Sequence, residues 1–167
     1  AIQGIGGLGH LAVQYANKMG MRTVALSHSD DKKKLAKDLG AHHYINSKKD
    51  DAVKELQKLG GAKLIVATAP HADAISAVID GLGVDGQLIC IGATGDAMEV
   101  SPMQLLQQRK SVSGWPSGTA IDSEDTLNFS AMTNTKPMIE TYKLDDVEKA
   151  FKRMMDNKAR FRVVLVP

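Results

Sequence analysis

The stretch GIGGLG places Gly4, Gly6 and Gly9 in the spacing G-x-G-x-x-G, with Gly7 opening the turn further. Each glycine of that spacing answers a different demand. The first permits a tight turn, the second lets main chain approach a pyrophosphate, and the third lets a helix pack closely on the strand before it. A helix that starts here aims its unpaired N–H groups and the positive end of its dipole at the phosphates. The chemistry implied is the gripping of a dinucleotide. Taken alone the spacing is weak, because glycine-rich turns also serve as plain connections; a strand before, a striped helix after and a second strand at the right distance strengthen it.

At the end of the second strand an NAD site usually places Asp or Glu, which accepts hydrogen bonds from the ribose 2′-hydroxyl. Here VAL runs into Ser27, His28 and Ser29, and the first carboxylate is Asp30. Hydroxyl donors with the cation of Lys32 nearby suit a 2′-phosphate, which a carboxylate would repel. The expectation is NADP(H) in preference to NAD(H). The plainer alternative has Ser27 and Ser29 capping the next helix and Lys32 solvated.

The elements that must position these residues follow from periodicity. Leu8, Leu11, Ala12, Tyr15, Ala16 and Met19 form one helical stripe, stopped by Gly20. MRTVALS is a strand. Ser29 and Asp30 offer caps for a helix bearing Leu35, Ala36 and Leu39, ended by Gly40. HHYIN, KLIVAT, QLICIG and SVSGW read as further strands. The helices between them are DAVKELQKLGG, a stripe of Ile75, Val78, Ile79 and Leu82, and PMQLLQQR. Six strands with helical crossovers predict an α/β fold, an open, doubly wound, mainly parallel six-stranded sheet of the Rossmann type with the glycine turn at the strands' C-terminal edge.

From about Asp122 the grammar changes to helix SEDTLNFSAM, strand PMIETYKL, helix DDVEKAFKRMM and strand RFRVVLV. Asp145 and Glu148 have capping-box spacing, and Val147, Ala150, Phe151 and Met154 are expected to be a buried stripe. The expected division is a dinucleotide-binding domain over 1–127 and a strand-helix-strand return segment over 128–167.

The whole chain has 167 residues, with 21 Lys and Arg against 19 Asp and Glu. A net charge of +2 with one short basic run, Lys32 to Lys34, argues against a nucleic-acid or membrane partner. The lone Cys90, in QLICIG, reads as a small buried hydrophobe and excludes an internal disulfide. No apolar run approaches a bilayer-spanning length, and a reducing cytoplasmic setting is expected. The chain opens on Ala1 at what reads as the last part of a strand, which suggests a piece of a longer protein.

The motifs GIGGLGHLAVQYANKMG, VALSHSDDKKKLAKDLGAHHYIN, IVATAP, GQLICIGAT, SVSGWPSG and FRVVL, in that order, resemble the zinc-dependent medium-chain alcohol dehydrogenases over the whole chain. The likeness is greatest to the NADP-type, cinnamyl-alcohol-dehydrogenase-like branch. It implies that Gly6, Gly7, Leu8 and Gly9 form the pyrophosphate turn, that Ser27, His28 and Lys32 surround the 2′-phosphate, and that Thr68 and Gly92 lie near the cofactor. It also implies that Trp115, Pro116 and Ser117 pass the nicotinamide. Catalytic and structural zinc would belong to an N-terminal domain preceding this stretch. In this chain no catalytic residue or metal ligand is identified: His42 and His43 point to opposite sides of a strand, and His10 and His71 are isolated. The implied role is to hold NADP(H) for reversible hydride transfer between an alcohol and an aldehyde or ketone, with the isolated chain inactive. Pairing of the sixth strand across a two-fold axis is the implied homodimer. Three alternatives stay open: the coenzyme domain of a zinc-independent quinone or enoyl reductase, a non-catalytic NADP(H)-binding module, and a sheet binding S-adenosylmethionine, to which IVAT and the full glycine spacing are less suited.

Overall fold

The computed structural model describes residues 1–167. Strands β1 (Ile2–Gln3), β2 (Val24–Ser27), β3 (His43–Asn46), β4 (Ala62–Ala67), β5 (Leu82–Cys90) and β6 (Ser111–Gly114) form one sheet in the order β3-β2-β1-β4-β5-β6, every pair parallel. That order reverses between β1 and β4, where a doubly wound sheet opens a crevice at its carboxyl edge. The connecting helices are α1 (Gly9–Lys18), α2 (Lys33–Asp38), α3 (Ala52–Lys58), α4 (Ala72–Ser76) and α5 (Pro102–Leu106).

Alternation along the strands sends side chains to two separate cores, as a sheet covered on both faces requires. On β2, Val24 and Leu26 enter a core with Ile45, Leu56, Ile65 and Leu88, while Ala25 enters the opposite one with Ile2, Ile5, Val13 and Phe161. Burying each of the large aliphatic side chains contributes about 1.5–3 kcal/mol before chain entropy is set against it.

The helix expected around Ile75, Val78, Ile79 and Leu82 is shorter than its stripe: α4 ends at Ser76, Ile79–Gly81 make one 3-10 turn, and Leu82 starts β5. All four side chains are nevertheless buried. β5 begins earlier than QLICIG: Leu82 already pairs with Ala62, and the register against β4 shifts after that pair, with Asp85 at φ 54°. Ser29 and Asp30 do not cap α2. Its N-cap is Lys32 without a side-chain bond, the Ser29 hydroxyl donates to Asp31 and Asp30 pairs with Lys49 at 2.5 Å.

Beyond the sheet, α6 (Ala120–Thr133) is opened by a Thr119–Asp122 capping box and closed by Asn134 in the left-handed region. Residues 127 and 128 both lie inside α6. Strands β7 (Ile139–Lys143) and β8 (Arg162–Val166) pair in parallel around α7 (Val147–Met155). Asp145 sits in a 3-10 turn before α7, which begins one residue after the unbonded N-cap Asp146, so the Asp145–Glu148 box does not form. The stripe on α7 is amphipathic but largely uncovered: Ala150 is buried, whereas Val147, Phe151 and Met154 are exposed.

Candidate functional site

β1 delivers the chain into Gly4 at φ +90°, a conformation that L side chains rarely adopt. Gly4 N–H donates to Leu26 O at 2.9 Å. Thr68, just past β4, donates its N–H to Gln3 O at 2.9 Å and shares its hydroxyl proton between Gln3 O and Gly4 O at 2.9 and 3.0 Å. A Cβ on Gly9 would stand 1.8 Å from Gly4 O, so only glycine lets α1 come down on the turn. A Cβ on Gly6 would meet nothing within 4 Å. One glycine is needed for packing and the other faces open space.

The head of α1 has no side-chain cap. The N–H groups of Gly6, Gly7, Leu8 and Gly9 have no protein acceptor, while the carbonyls beside them are engaged: Ile5 O accepts from Lys32 Nζ at 2.7 Å, and Gly6 O accepts from His10 N–H at 3.0 Å. Unpaired donors at the positive end of a helix dipole are an arrangement that can hold an anion. Arg162, from β8, lays its guanidinium against Gly7, where a Cβ would lie 3.0 Å from Nη1.

This turn forms part of the wall of a cavity of about 970 Å3 that also runs along the ends of β2 and β4 and the start of α3. Gly4, Gly6, Gly7, Leu8, Ser27, His28, Lys32 and Thr68 all line it. Gly9 lies behind it, packed against Gly4 and Thr68. Gly92, Trp115, Pro116 and Ser117 are not part of its wall. Gly92 is held by its N–H on Ala67 O, and a Cβ there would strike Ala69 O at 2.8 Å. Trp115 N–H donates to Cys90 O at 3.1 Å and its indole is exposed, as are Pro116 and Ser117.

Ser27 is buried at the end of β2, His28 is exposed, and Lys32 is half-buried. Burial lowers the Lys32 pKa, and nearby Arg160 lowers it further. The Lys32 ammonium lies 5.6 Å from the Phe161 ring centroid. Among the lining residues that sequence reasoning missed are Gln3, Asp50 and Asn157, and it missed the approach of Arg162. Only the strand-end position of Gln3 could have signalled any of them; the others arrive through the tertiary fold. Burial also raises the Cys90 thiol pKa, as befits a side chain packed against the core.

The sequence model of a family described as zinc-binding dehydrogenase matches residues 7–132. The chain belongs to the zinc-binding dehydrogenase family. It is 49% identical over 165 residues to the alcohol dehydrogenase patD of Penicillium expansum, covering 99% of the chain and 48% of that protein. Its fold matches the cinnamyl alcohol dehydrogenase of Sorghum bicolor with a TM-score of 0.84 at 29% identity, over 98% of this chain and 46% of that one. It also matches CAD from Helicobacter pylori, solved in complex with NADP(H), with a TM-score of 0.81 at 25% identity, over 98% and 46% of the two chains. The chain thus spans about half the length of the proteins it matches. No three His, Cys, Asp or Glu side chains of the chain converge as a metal site. His42 Nδ1 accepts from Thr23 N–H, His43 Nε2 accepts from Arg22, and His10 is fully buried. No helix is long and apolar enough to cross a membrane.

Proposed function

We propose that this chain is the coenzyme-binding portion of an alcohol dehydrogenase and that it holds NADP(H) for reversible hydride transfer between an alcohol and an aldehyde or ketone. The observation that carries the proposal is the row of N–H groups from Gly6 to Leu8, which lack protein acceptors in residues that line a large cavity. A dinucleotide fits those donors: its diphosphate would lie on Gly6, Gly7 and Leu8, with Arg162 beside Gly7 adding positive charge. Ser27, His28 and Lys32 would receive the 2′-phosphate. Support comes from Asp30, the first carboxylate after β2, being engaged by Lys49 at 2.5 Å.

The nicotinamide is assigned to the region of Gly92 and the segment 115–117, beyond β5 and β6. NADP(H), when bound, supplies the hydride carrier at its nicotinamide ring. The chain's own part is to bind and orient it. The residues present do not fit a zinc site, so zinc is assigned to residues outside this chain and no step is derived through it. Residues 1–127 are assigned to coenzyme binding and 128–167 to a return segment. The partners assigned are a small alcohol or aldehyde and, through the free edge at β6, a second copy. A cytoplasmic setting agrees with the single unpaired cysteine.

Titrating the protein with NADPH and NADH by nucleotide fluorescence tests the proposal. Saturable binding is expected, with NADPH tighter than NADH by about tenfold, equivalent to roughly 1.4 kcal/mol. Equal affinity or a preference for NADH removes the 2′-phosphate assignment, and absence of binding removes the whole proposal. Alcohol oxidation catalysed by the 167-residue chain alone would contradict its assignment as the coenzyme-binding part.

A further inference from the structure

His10 is fully buried one residue into α1, and both ring nitrogens are engaged with main chain. Nδ1 lies 2.8 Å from Gly6 O, and Nε2 accepts the N–H of Met138 at 3.0 Å. A main-chain amide can only donate, so Met138 makes Nε2 the acceptor nitrogen of the neutral ring and places the proton on Nδ1. Nδ1–H therefore donates to Gly6 O, which becomes a double acceptor, from the His10 ring and from the His10 N–H at 3.0 Å. The ring itself packs on Phe161, centroids 4.8 Å apart.

The consequence falls on the next peptide group. Gly6 C=O and Gly7 N–H belong to one planar trans unit and point in opposite directions. Drawing the carbonyl toward His10 turns the Gly7 N–H away from it, and with glycine on both sides of that unit its rotation is held by the two bonds from His10, one from the ring and one from the main chain. Gly6 and Gly7 both line the cavity, and the Gly7 N–H has no protein acceptor.

We propose that His10 is the positioning residue of the diphosphate turn: its Nδ1–H tautomer, selected by Met138 from the distant C-terminal segment, sets the Gly6–Gly7 peptide so that the Gly7 amide faces the diphosphate. The inference rests on the dinucleotide reading given above. It makes the segment before β7 part of the turn's support even though residues 10 and 138 are 128 apart in sequence. Burial is the largest cause holding the His10 pKa below its ordinary value, and Arg162 adds to it, which keeps the ring in the neutral form that the arrangement needs. The main-chain groups of Gly6, Gly7 and Met138 are the polar groups that act on the ring, and Arg162 is the charged one.

The test separates diphosphate binding from binding in general. Asn at position 10 can offer an amide donor near the place of Nδ1, whereas Gln can offer an acceptor near the place of Nε2. ADP-ribose, which carries the diphosphate, and adenosine, which carries none, are the probes for the full protein and its His10→Asn and His10→Gln variants. His10→Gln is expected to weaken ADP-ribose about fivefold or more and to leave adenosine within twofold, while His10→Asn holds ADP-ribose within about threefold of the parent. Parallel weakening of both probes, or unchanged ADP-ribose affinity in His10→Gln, overturns the proposal. Failure of the parent protein to bind ADP-ribose overturns the dinucleotide reading itself. Independently of how the variants fold, long-range proton–nitrogen correlation spectra of the parent must show Nδ1 protonated; an Nε2–H ring refutes the inference.

Discussion

Two glycines of one turn should fail in opposite ways when replaced by alanine. At Gly9 the added Cβ would stand 1.8 Å from Gly4 O and 2.9 Å from its carbonyl carbon, where ordinary contact begins at 3.4 Å. Both obstacles are backbone in a turn pinned by Thr68, so no side chain can swing aside. Relief requires α1 to lift from β1, and the cost should reach the upper end of overpacking, about 3 kcal/mol. For a domain of this size that lowers the melting temperature by about 6–12 °C. At Gly6 the added Cβ meets nothing within 4 Å and the backbone lies outside the left-handed region, so Gly6→Ala should melt within about 2 °C of the parent. Its methyl would instead occupy the approach to the free amides. Losing one charge-assisted bond of about 1.5–3 kcal/mol weakens NADPH by about ten- to a hundredfold. Thermal melts and fluorescence titrations on both variants read the two effects separately. Gly6→Ala binding NADPH as tightly as the parent would refute the placement of the diphosphate, and Gly9→Ala melting with the parent would refute the packing argument.

Lys32→Ala should weaken NADPH about tenfold and NADH by about twofold or less in the same titration; equal losses would mean that Lys32 serves only to hold Ile5 O. Phe161→Ala removes a ring that is 9% exposed and packs on His10, and chemical denaturation should show a loss of about 3–4 kcal/mol. Phe151→Ser, at 59% exposure, should change stability by less than about 0.5 kcal/mol in this chain. His10 has a folded pKa below 6.5, so on acidification the unfolded chain takes up a proton first. Stability should therefore fall as pH drops below about 6.5, and the urea midpoint of His10→Asn should show a shallower fall over the same range.

Much of the fold was legible because each crossover carried its own punctuation. Gly20 and Gly40 adopt positive φ after α1 and α2, and the apolar run of β4 is covered on both faces. Where the reading slipped, one pattern satisfied two structures. Ile75, Val78, Ile79 and Leu82 keep helical spacing and are all buried, yet burial is what a short helix followed by a strand also produces. On α7 the stripe of Val147, Phe151 and Met154 is real, but periodicity states which face is apolar and not whether this chain covers it. At the site, glycine spacing announced the turn because local geometry demands it. Nothing local announced Arg162, Asn157 or the Met138 bond to His10, since those contacts depend on where a strand and a helix far along the chain return.

The polarity of the turn distinguishes a binding site from a connection. A plain loop leaves its carbonyls and amides alike to water. Here the acceptors are taken from inside: Gln3 O and Gly4 O by Thr68, Ile5 O by Lys32, and Gly6 O by His10. The N–H donors of Gly6, Gly7, Leu8 and Gly9 have no such partners. Because each satisfied carbonyl belongs to the same planar unit as the following N–H, fixing the acceptors fixes the direction of the donors. Lys32, just before α2, so orients the Gly6 amide and His10, bonded in turn by Met138 of the C-terminal segment, the Gly7 amide, while Thr68 anchors the entry to the turn from the sheet. Two separate parts of the chain thus set the direction of the first two free amides, and the face they present carries donors alone, which suits negative charge.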